Sequence, residues 1–345
     1  MRKFIYIIII NVIFSAHVSE NKAQIVAENI IAERFIDQSP EVYNIVSTEI
    51  LRTNNKDLIY VFHLYPIGFI LVPADNRASP VLGYSYESDF ITENMPQNVS
   101  YFVSTHKYEI LDAIENNRIA EQKVIDEWVK YQNEGNLNRR SNNVDPLLTA
   151  EFGQEYGWNT YCPEDPTGPG GHAVVGCVAV AMAQIMHYWS FPTSGLASHG
   201  YESSYGYLEA DFSAAYYDFA AMGDGTEPSD AAALLLSHVG IALEMDYGSY
   251  ESVAYYNRAF NVFSDYFYFQ ELQQDYDSSD WIRADWIGAN WPGFEFTEED
   301  YLNILKDELN NYRPILYYGN EIDSEIGHCW NIDGYNDDLF HMNFG

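Results

Sequence analysis

The run Gly176-Cys-Val-Ala-Val-Ala-Met-Ala-Gln-Ile-Met-His-Tyr-Trp189, closed by Pro192, decides how the rest of the chain reads. Val178, Met182, Ile185, Met186 and Trp189 fall at i, i+4, i+7, i+8 and i+11, one face of a helix. Ala179, Ala181 and Ala183 leave room for close packing around the remainder. Cys177 therefore falls in the first turn of a buried helix. Unpaired N–H groups and the positive end of the dipole there are expected to lower the thiol pKa and favour the thiolate, the form that attacks a carbonyl. A cysteine at the start of an apolar helix is equally an ordinary core residue. A partner base must decide.

Such a base lies near the end of the chain. Gly327-His-Cys-Trp-Asn-Ile-Asp-Gly-Tyr-Asn-Asp-Asp-Leu-Phe-His-Met-Asn-Phe344 reads as a β-hairpin. With Gly334–Asp337 as a four-residue loop, His328 stands directly opposite Asn343, with Cβ atoms ~5 Å apart. A side-chain amide there can hold the imidazole in one orientation, as the third member of a nucleophile–base–orienter set must.

Outward from these two stretches, the 345 residues divide sharply by charge. Residues 1–140 hold 13 Lys+Arg and 18 Asp+Glu; residues 141–345 hold 4 cations (Arg258, Arg283, Lys306, Arg313) and 33 acids. The net charge of −34 repels phosphates, which argues against nucleic acid or an anionic membrane as a partner. An aromatic content of 16% argues against a disordered tail, and three cysteines are too few for a disulfide-built scaffold. Met1–Ala16 has the form of an export signal: Arg2 and Lys3, an apolar run from Phe4 to Phe14, then small residues, with cleavage expected at 16 or as late as about 24. The run is too short to be a comfortable membrane anchor. A secreted protein is expected. The polar stretch 133–144 reads as an exposed linker, and its Arg139-Arg140 suits either a trypsin-like cut or simple solvation. The stop at Gly345, inside an expected strand, suggests a C-terminal truncation.

In the first region Ile25–Ile36 reads as a helix, and Leu58–Leu64 and Gly68–Val72 as strands joined by Tyr65-Pro66-Ile67. Asp75-Asn76-Arg77 reads as a turn, Val81–Tyr84 as a short strand and Tyr108–Gln132 as one further helix. In the second, helices are expected at Val178–Trp189, Ala231–Glu244 and Glu298–Asn310, with strands concentrated after Arg313.

Gly176-Cys-Val-Ala-x-Ala-x-Ala-Gln-Ile-Met-x-Tyr with Pro192 resembles the nucleophile helix of the streptopain family of secreted papain-fold cysteine peptidases. Gly327-His328, Trp330 and Ile332-Asp333-Gly334 resemble that family's base-bearing strand, and His341-x-Asn343 its asparagine strand. Leu147-Leu148 through Phe152-Gly-Gln154, with Asn159-x-x-Cys162-Pro163, resemble the start of its mature enzyme. Gly68-Phe-Ile-Leu-Val72 and Ala74-Asp-Asn-Arg-Ala-x-Pro-Val-Leu-Gly-Tyr84 resemble its inhibitory propeptide. The resemblance implies an α+β fold: a papain-like catalytic domain at 145–345, with a helical part carrying the nucleophile and an antiparallel sheet carrying the base. A small α+β propeptide domain at 25–132 precedes it and acts as an intramolecular inhibitor. It implies Cys177, His328 and Asn343 as the catalytic set, Gln154 as an oxyanion-hole amide, protein substrates, and no cofactor or metal. Phe344 departs from the family's tryptophan after the asparagine, and Cys329 stands where a small apolar residue is common. A binding protein that keeps the fold without turnover, or an acyltransferase using the same triad, are the competing implications.

The other candidates carry less. His172, Cys177 and His341 lack any metal-ligand frame, and no Gly-x-Ser-x-Gly elbow exists. His187 and His238 fall within helices as structural residues. Cys162 and Cys329 read as free rather than paired. Clusters such as Glu298-Glu-Asp300 and Asp337-Asp338 read as solvated faces without a calcium loop.

Overall fold

The computed structural model describes residues 16–34, 43–86, 88–92, 95, 97–132, 143–255, 258–269, 298–320, 327–337 and 339–344. Nearly all of the expected export signal and Arg139-Arg140 lie outside them. The chain forms two compact units, Met1–Arg140 and Ser141–Gly345. The fold is mixed α+β with antiparallel sheets.

The first unit opens with α1 (Glu20–Arg34), longer at its start than the periodicity predicts. Ala23, Val26, Ala27, Ile30 and Ile31 are all buried, the i, i+3, i+4, i+7, i+8 stripe of a half-buried helix. Val18, just before it, is also buried, so a leader cut as late as residue 24 would strip core residues from the unit. Four strands follow in sheet order: β1 (Asn44–Thr53), β2 (Lys56–Tyr65), β3 (Phe69–Pro73) and β4 (Gly83–Ser85). Strand β1 was not anticipated. It reaches β2 through Asn54-Asn55 at φ 51° and 62°, the left-handed pair that a two-residue hairpin needs. The single helix expected at Tyr108–Gln132 is two, α2 (Gln97–Glu115) and α3 (Gln122–Gln132). Asn117, at φ 49°, ends α2, and the Arg118 N–H turns back to the Ala113 carbonyl at 3.0 Å.

The second unit begins with β5 (Asn143–Val144), which falls in the stretch read as linker. The helix α4 (Cys177–Trp189) follows, then a hairpin of β6 (Ser198–Ser203) and β7 (Gly206–Asp211) that the sequence reading missed. Next come α5 (Asp230–Ala242), α6 (Arg258–Phe267, also missed), α7 (Glu298–Asn310), β8 (Ile315–Asn320), β9 (Gly327–Asn336) and β10 (Leu339–Asn343). Strand β9 is central and pairs with β5, β8 and β10.

Every residue of α4 from Val178 to Met186 is buried, so the helix is enclosed on all sides rather than along one face. Trp189, expected on the apolar face, is 47% exposed, because the helix ends at Ser190 and its last turn leaves the core. One face of β9 meets α4: Cys329 joins the helix in the main core, and Asn331 bonds to the Ala181 carbonyl. The other face packs Trp330 and Ile332 against Leu305 and Leu309 of α7. This sandwich places β9 against the start and middle of α4.

Candidate active site

Cys177 is the first residue of α4 because of what precedes it. Gly176 caps the helix at φ 94°, and a Cβ there would sit 2.8 Å from the Met245 side chain and 3.1 Å from the Ser252 carbonyl. Both backbone conformation and space demand glycine. The approach is pinned on two sides: Val174 N–H donates to the Gly248 carbonyl at 3.0 Å, and Ser252 Oγ–H to the Val174 carbonyl at 2.7 Å. Cys177 itself is half-buried.

The polar backbone near its sulfur, at Cys329, Val178 and Cys177, favours the thiolate. Burial outweighs it and pushes the thiol above its ordinary range, aided by the negative charge of Glu251. This corrects the expectation of a lowered pKa: the helix terminus supplies donors, but desolvation in a tightly packed core is the larger effect. His328 is held below the usual imidazole range, again by burial, with Glu251 pulling the other way. Both shifts favour the neutral thiol–imidazole form at rest.

Gln154 reaches the same place from the opposite side. Phe152 is buried, and Gly153 lies so close to the Trp158 indole that a Cβ would approach it to 2.7 Å. The Gln154 Oε1 accepts the Gly176 N–H at 3.1 Å, and Val175 N–H donates to the Gln154 carbonyl at 3.1 Å. With Oε1 so held, Nε2 carries two N–H donors without a protein partner among the described residues.

His328 lies on β9 opposite Gly319 and directly after Gly327, where any Cβ would collide with the Tyr318 hydroxyl. Its neighbour Cys329 is buried in the core against which Cys177 packs. The hairpin register differs from the expected one. Strand β9 continues to Asn336, which pairs with Leu339, so Gly334 is not in the loop. Gly334 is glycine because the Val144 carbonyl of β5 would lie 2.8 Å from a Cβ there, not because the chain turns. Asp337, at φ 55°, provides the left-handed turn residue instead. With a β-bulge between His341 and Met342, Asn343 stands opposite Asn331, not opposite His328. Its Nδ2 donates to the Ala150 carbonyl at 3.0 Å, and its Oδ1 accepts from Gln184 Nε2 at 2.9 Å. Phe344 packs on Trp330, with ring centroids 5.6 Å apart.

The remaining candidates have structural partners. His341 Nδ1 lies 2.6 Å from Oδ1 of buried Asp333, whose Oδ2 accepts the Leu148 N–H at 2.8 Å. His172 Nδ1 faces the Cys162 carbonyl at 3.0 Å, His187 Nε2 the Gly223 carbonyl at 3.0 Å, and His238 Nδ1 the Tyr217 hydroxyl at 3.1 Å. All three cysteines are free, and burial pushes the Cys162 thiol up to about 12. Among the described residues no group of three His, Cys, Asp or Glu could hold a metal ion. Sequence reasoning missed Gln184, Asn331 and Glu251. For Gln184 the available signal was a lone polar residue inside an otherwise apolar buried run.

The Peptidase C10 family profile matches residues 152–345, which include Gln154, Cys177, His328 and Asn343. The chain belongs to the Peptidase C10 family. It is a cysteine peptidase, and a Spi protease inhibitor profile matches residues 15–110 of its N-terminal unit. This C10 peptidase is similar to streptopain of Streptococcus pyogenes, at 25% identity over 83% of this chain and 71% of that protein. It is also similar to the thiol protease/hemagglutinin PrtT of Porphyromonas gingivalis, at 24% identity over 95% of this chain. The chain spans 37% of the length of PrtT. Among solved structures it resembles a prointerpain A fragment of Prevotella intermedia carrying a cysteine-to-alanine mutation. The TM-score is 0.61, with 26% identity over 87% of this chain and 88% of that one.

Proposed function

We propose that the chain is an exported zymogen of a cysteine endopeptidase. In this reading Cys177 is the nucleophile, His328 the general acid–base, Gln154 the oxyanion-stabilising amide, and Asn343 a residue that positions the His328 strand. The observation that carries it is the placing of Cys177 at the start of α4, directly after Gly176, whose N–H the Gln154 Oε1 accepts at 3.1 Å, with Cys329, the neighbour of His328 on β9, in the core against which Cys177 packs.

As the sulfur attacks the scissile carbonyl carbon, the thiol proton passes to His328. Burial favours the neutral pair at rest, so charge is supported only as it forms: at the sulfur by the polar backbone that opens α4, and at the imidazolium by Glu251, which opposes the thiolate. The carbonyl oxygen becomes an oxyanion between the Gln154 Nε2 and the Cys177 N–H. Collapse expels the amine, which takes the proton from His328 and leaves an acyl-enzyme. His328 then draws a proton from water, whose oxygen attacks the acyl carbon and releases Cys177. The N-terminal unit holds the enzyme inactive until it is removed, and a cut in the 133–142 linker is the natural release point. The basic start and apolar run of residues 2–14 support export. Among the described residues no helix is long and apolar enough to cross a membrane.

The test treats the full chain briefly with trypsin under reducing conditions, quenches the trypsin with its inhibitor, and follows casein hydrolysis. The Cys177→Ala variant should lose at least about a thousandfold in rate with unchanged unfolding temperature. Incorporation of an added amine instead of hydrolysis would identify an acyltransferase. A folded parent that neither cuts casein nor reacts with a substrate-like thiol-directed inhibitor would remove Cys177 from this role.

A further inference from the structure

One position of the nucleophile helix has no part in the chemistry above. Gln184 is the one polar residue between Val178 and Met186, and its side chain is completely buried. Its Nε2 donates to the Ala150 carbonyl at 3.0 Å and to Asn343 Oδ1 at 2.9 Å, and its Oε1 accepts from Asn331 Nδ2 at 2.8 Å. Asn331 Nδ2 also donates to the Ala181 carbonyl at 3.0 Å, and Asn343 Nδ2 to the Ala150 carbonyl at 3.0 Å. Each partner leads to a different candidate group. Ala150 opens the segment that ends at Gln154, Asn331 follows His328 on β9, and Asn343 closes β10. Gln184 itself belongs to the helix that begins at Cys177.

We propose that Gln184 is a positioning residue of the peptidase, fixing the Cys177 helix in register against the strands of His328 and Asn343 and the segment of Gln154. This rests on the assignment of those residues made above. The orientation of the carboxamide is forced: a flipped Gln184 would set Oε1 against two acceptors and Nε2 against a donor. An apolar side chain of similar size, such as methionine, would fill the same space, and replacing matched polar partners by apolar ones is often nearly neutral for stability. A buried amide network adds direction, because each bond is made in one arrangement only. The network even leaves Asn331 Oδ1 buried without a partner among the described residues, a cost that packing alone does not call for.

The test compares the parent with Gln184→Met and Gln184→Glu in the full chain, before and after the trypsin step. Iodoacetamide alkylation of each cysteine is followed by peptide mass across pH, beside kcat and KM on a casein-derived peptide. Cys162 and Cys329 are buried and report on opening of the core. For Gln184→Met, Cys177 alkylation near neutral pH and kcat should each fall about tenfold or more, with KM within about twofold and the other two thiols still protected. Gln184→Glu keeps the shape, but its carboxylate would face the Ala150 and Asn343 oxygens. Its alkylation rate and kcat, relative to the parent, should recover as falling pH protonates the carboxyl and restores a donor, a recovery Gln184→Met cannot show. Folded variants with parental Cys177 profiles and kcat would overturn the proposal. So would loss of Cys162 and Cys329 protection in step with Cys177, which would make Gln184 a packing residue. If the parent reacts at Cys177 in a Gln184-dependent way yet hydrolyses nothing, the positioning role stands and the peptidase assignment of these residues falls.

Discussion

Strands β2 and β9 are each ten residues long, central in an antiparallel sheet and buried for most of their length. Their interiors differ. The buried run of β2 is Leu58-Ile59-Tyr60-Val61-Phe62, whose one polar atom, the Tyr60 hydroxyl, donates to the Val18 carbonyl at 2.9 Å. The buried run of β9 interleaves Trp330 and Ile332 with Asn331 and Asp333, each tied to a named partner on another segment. Burying a polar group is unfavourable unless it is hydrogen-bonded, so such groups persist where atoms must be held at set places. The inhibitor-like unit fills space with its central strand; the peptidase unit uses its own to fix positions.

That contrast can be broken from either side. Phe62→Ala should cost about 3–5 kcal/mol, because it empties a closely packed site, and calorimetry should show the transition of the N-terminal unit lowered. Asp333→Leu should cost less, about 1–3 kcal/mol, by leaving the Leu148 N–H unsatisfied. Its effect should appear in the transition of the second unit and as faster amide exchange at Leu148, while Leu147, bonded to the residue 333 carbonyl, keeps its partner. If Asp333→Leu proves neutral, the polar face of β9 is not holding that segment, and the comparison fails on its peptidase side. The smallest effect is expected from Glu251→Gln. Glu251 raises both the Cys177 thiol and the His328 imidazole. Its neutralisation should therefore move both limbs of the kcat/KM–pH profile to lower pH while leaving unfolding unchanged. A shift of either limb upward would remove Glu251 from the field of the pair.

Much of this was legible where one period dominates. The apolar spacing of Val178–Met186 announces a helix, and Glu298–Asn310 was readable to its end residues. What escaped was set by distant backbone. Gly334 has the look of a turn residue, yet it is the approach of Val144 from β5 that requires a glycine there, while the turn falls at Asp337 and a bulge after His341 shifts the register. Asn54-Asn55, between two strands, is a hairpin signal readable in the sequence itself. The thiol pKa was misjudged because the helix terminus is visible in sequence, while the depth at which it is buried is not.

The short strand β5 has a consequence for maturation. Asn143 and Val144 pair with Asn336 and Tyr335, and the Leu147 and Leu148 N–H groups are both held by Asp333. If the proposed release cut falls shortly ahead of Asn143, the first described residues behind it are already stitched into the peptidase sheet. No refolding of that end is required, and ragged trimming by several different proteases would converge on one equivalent enzyme.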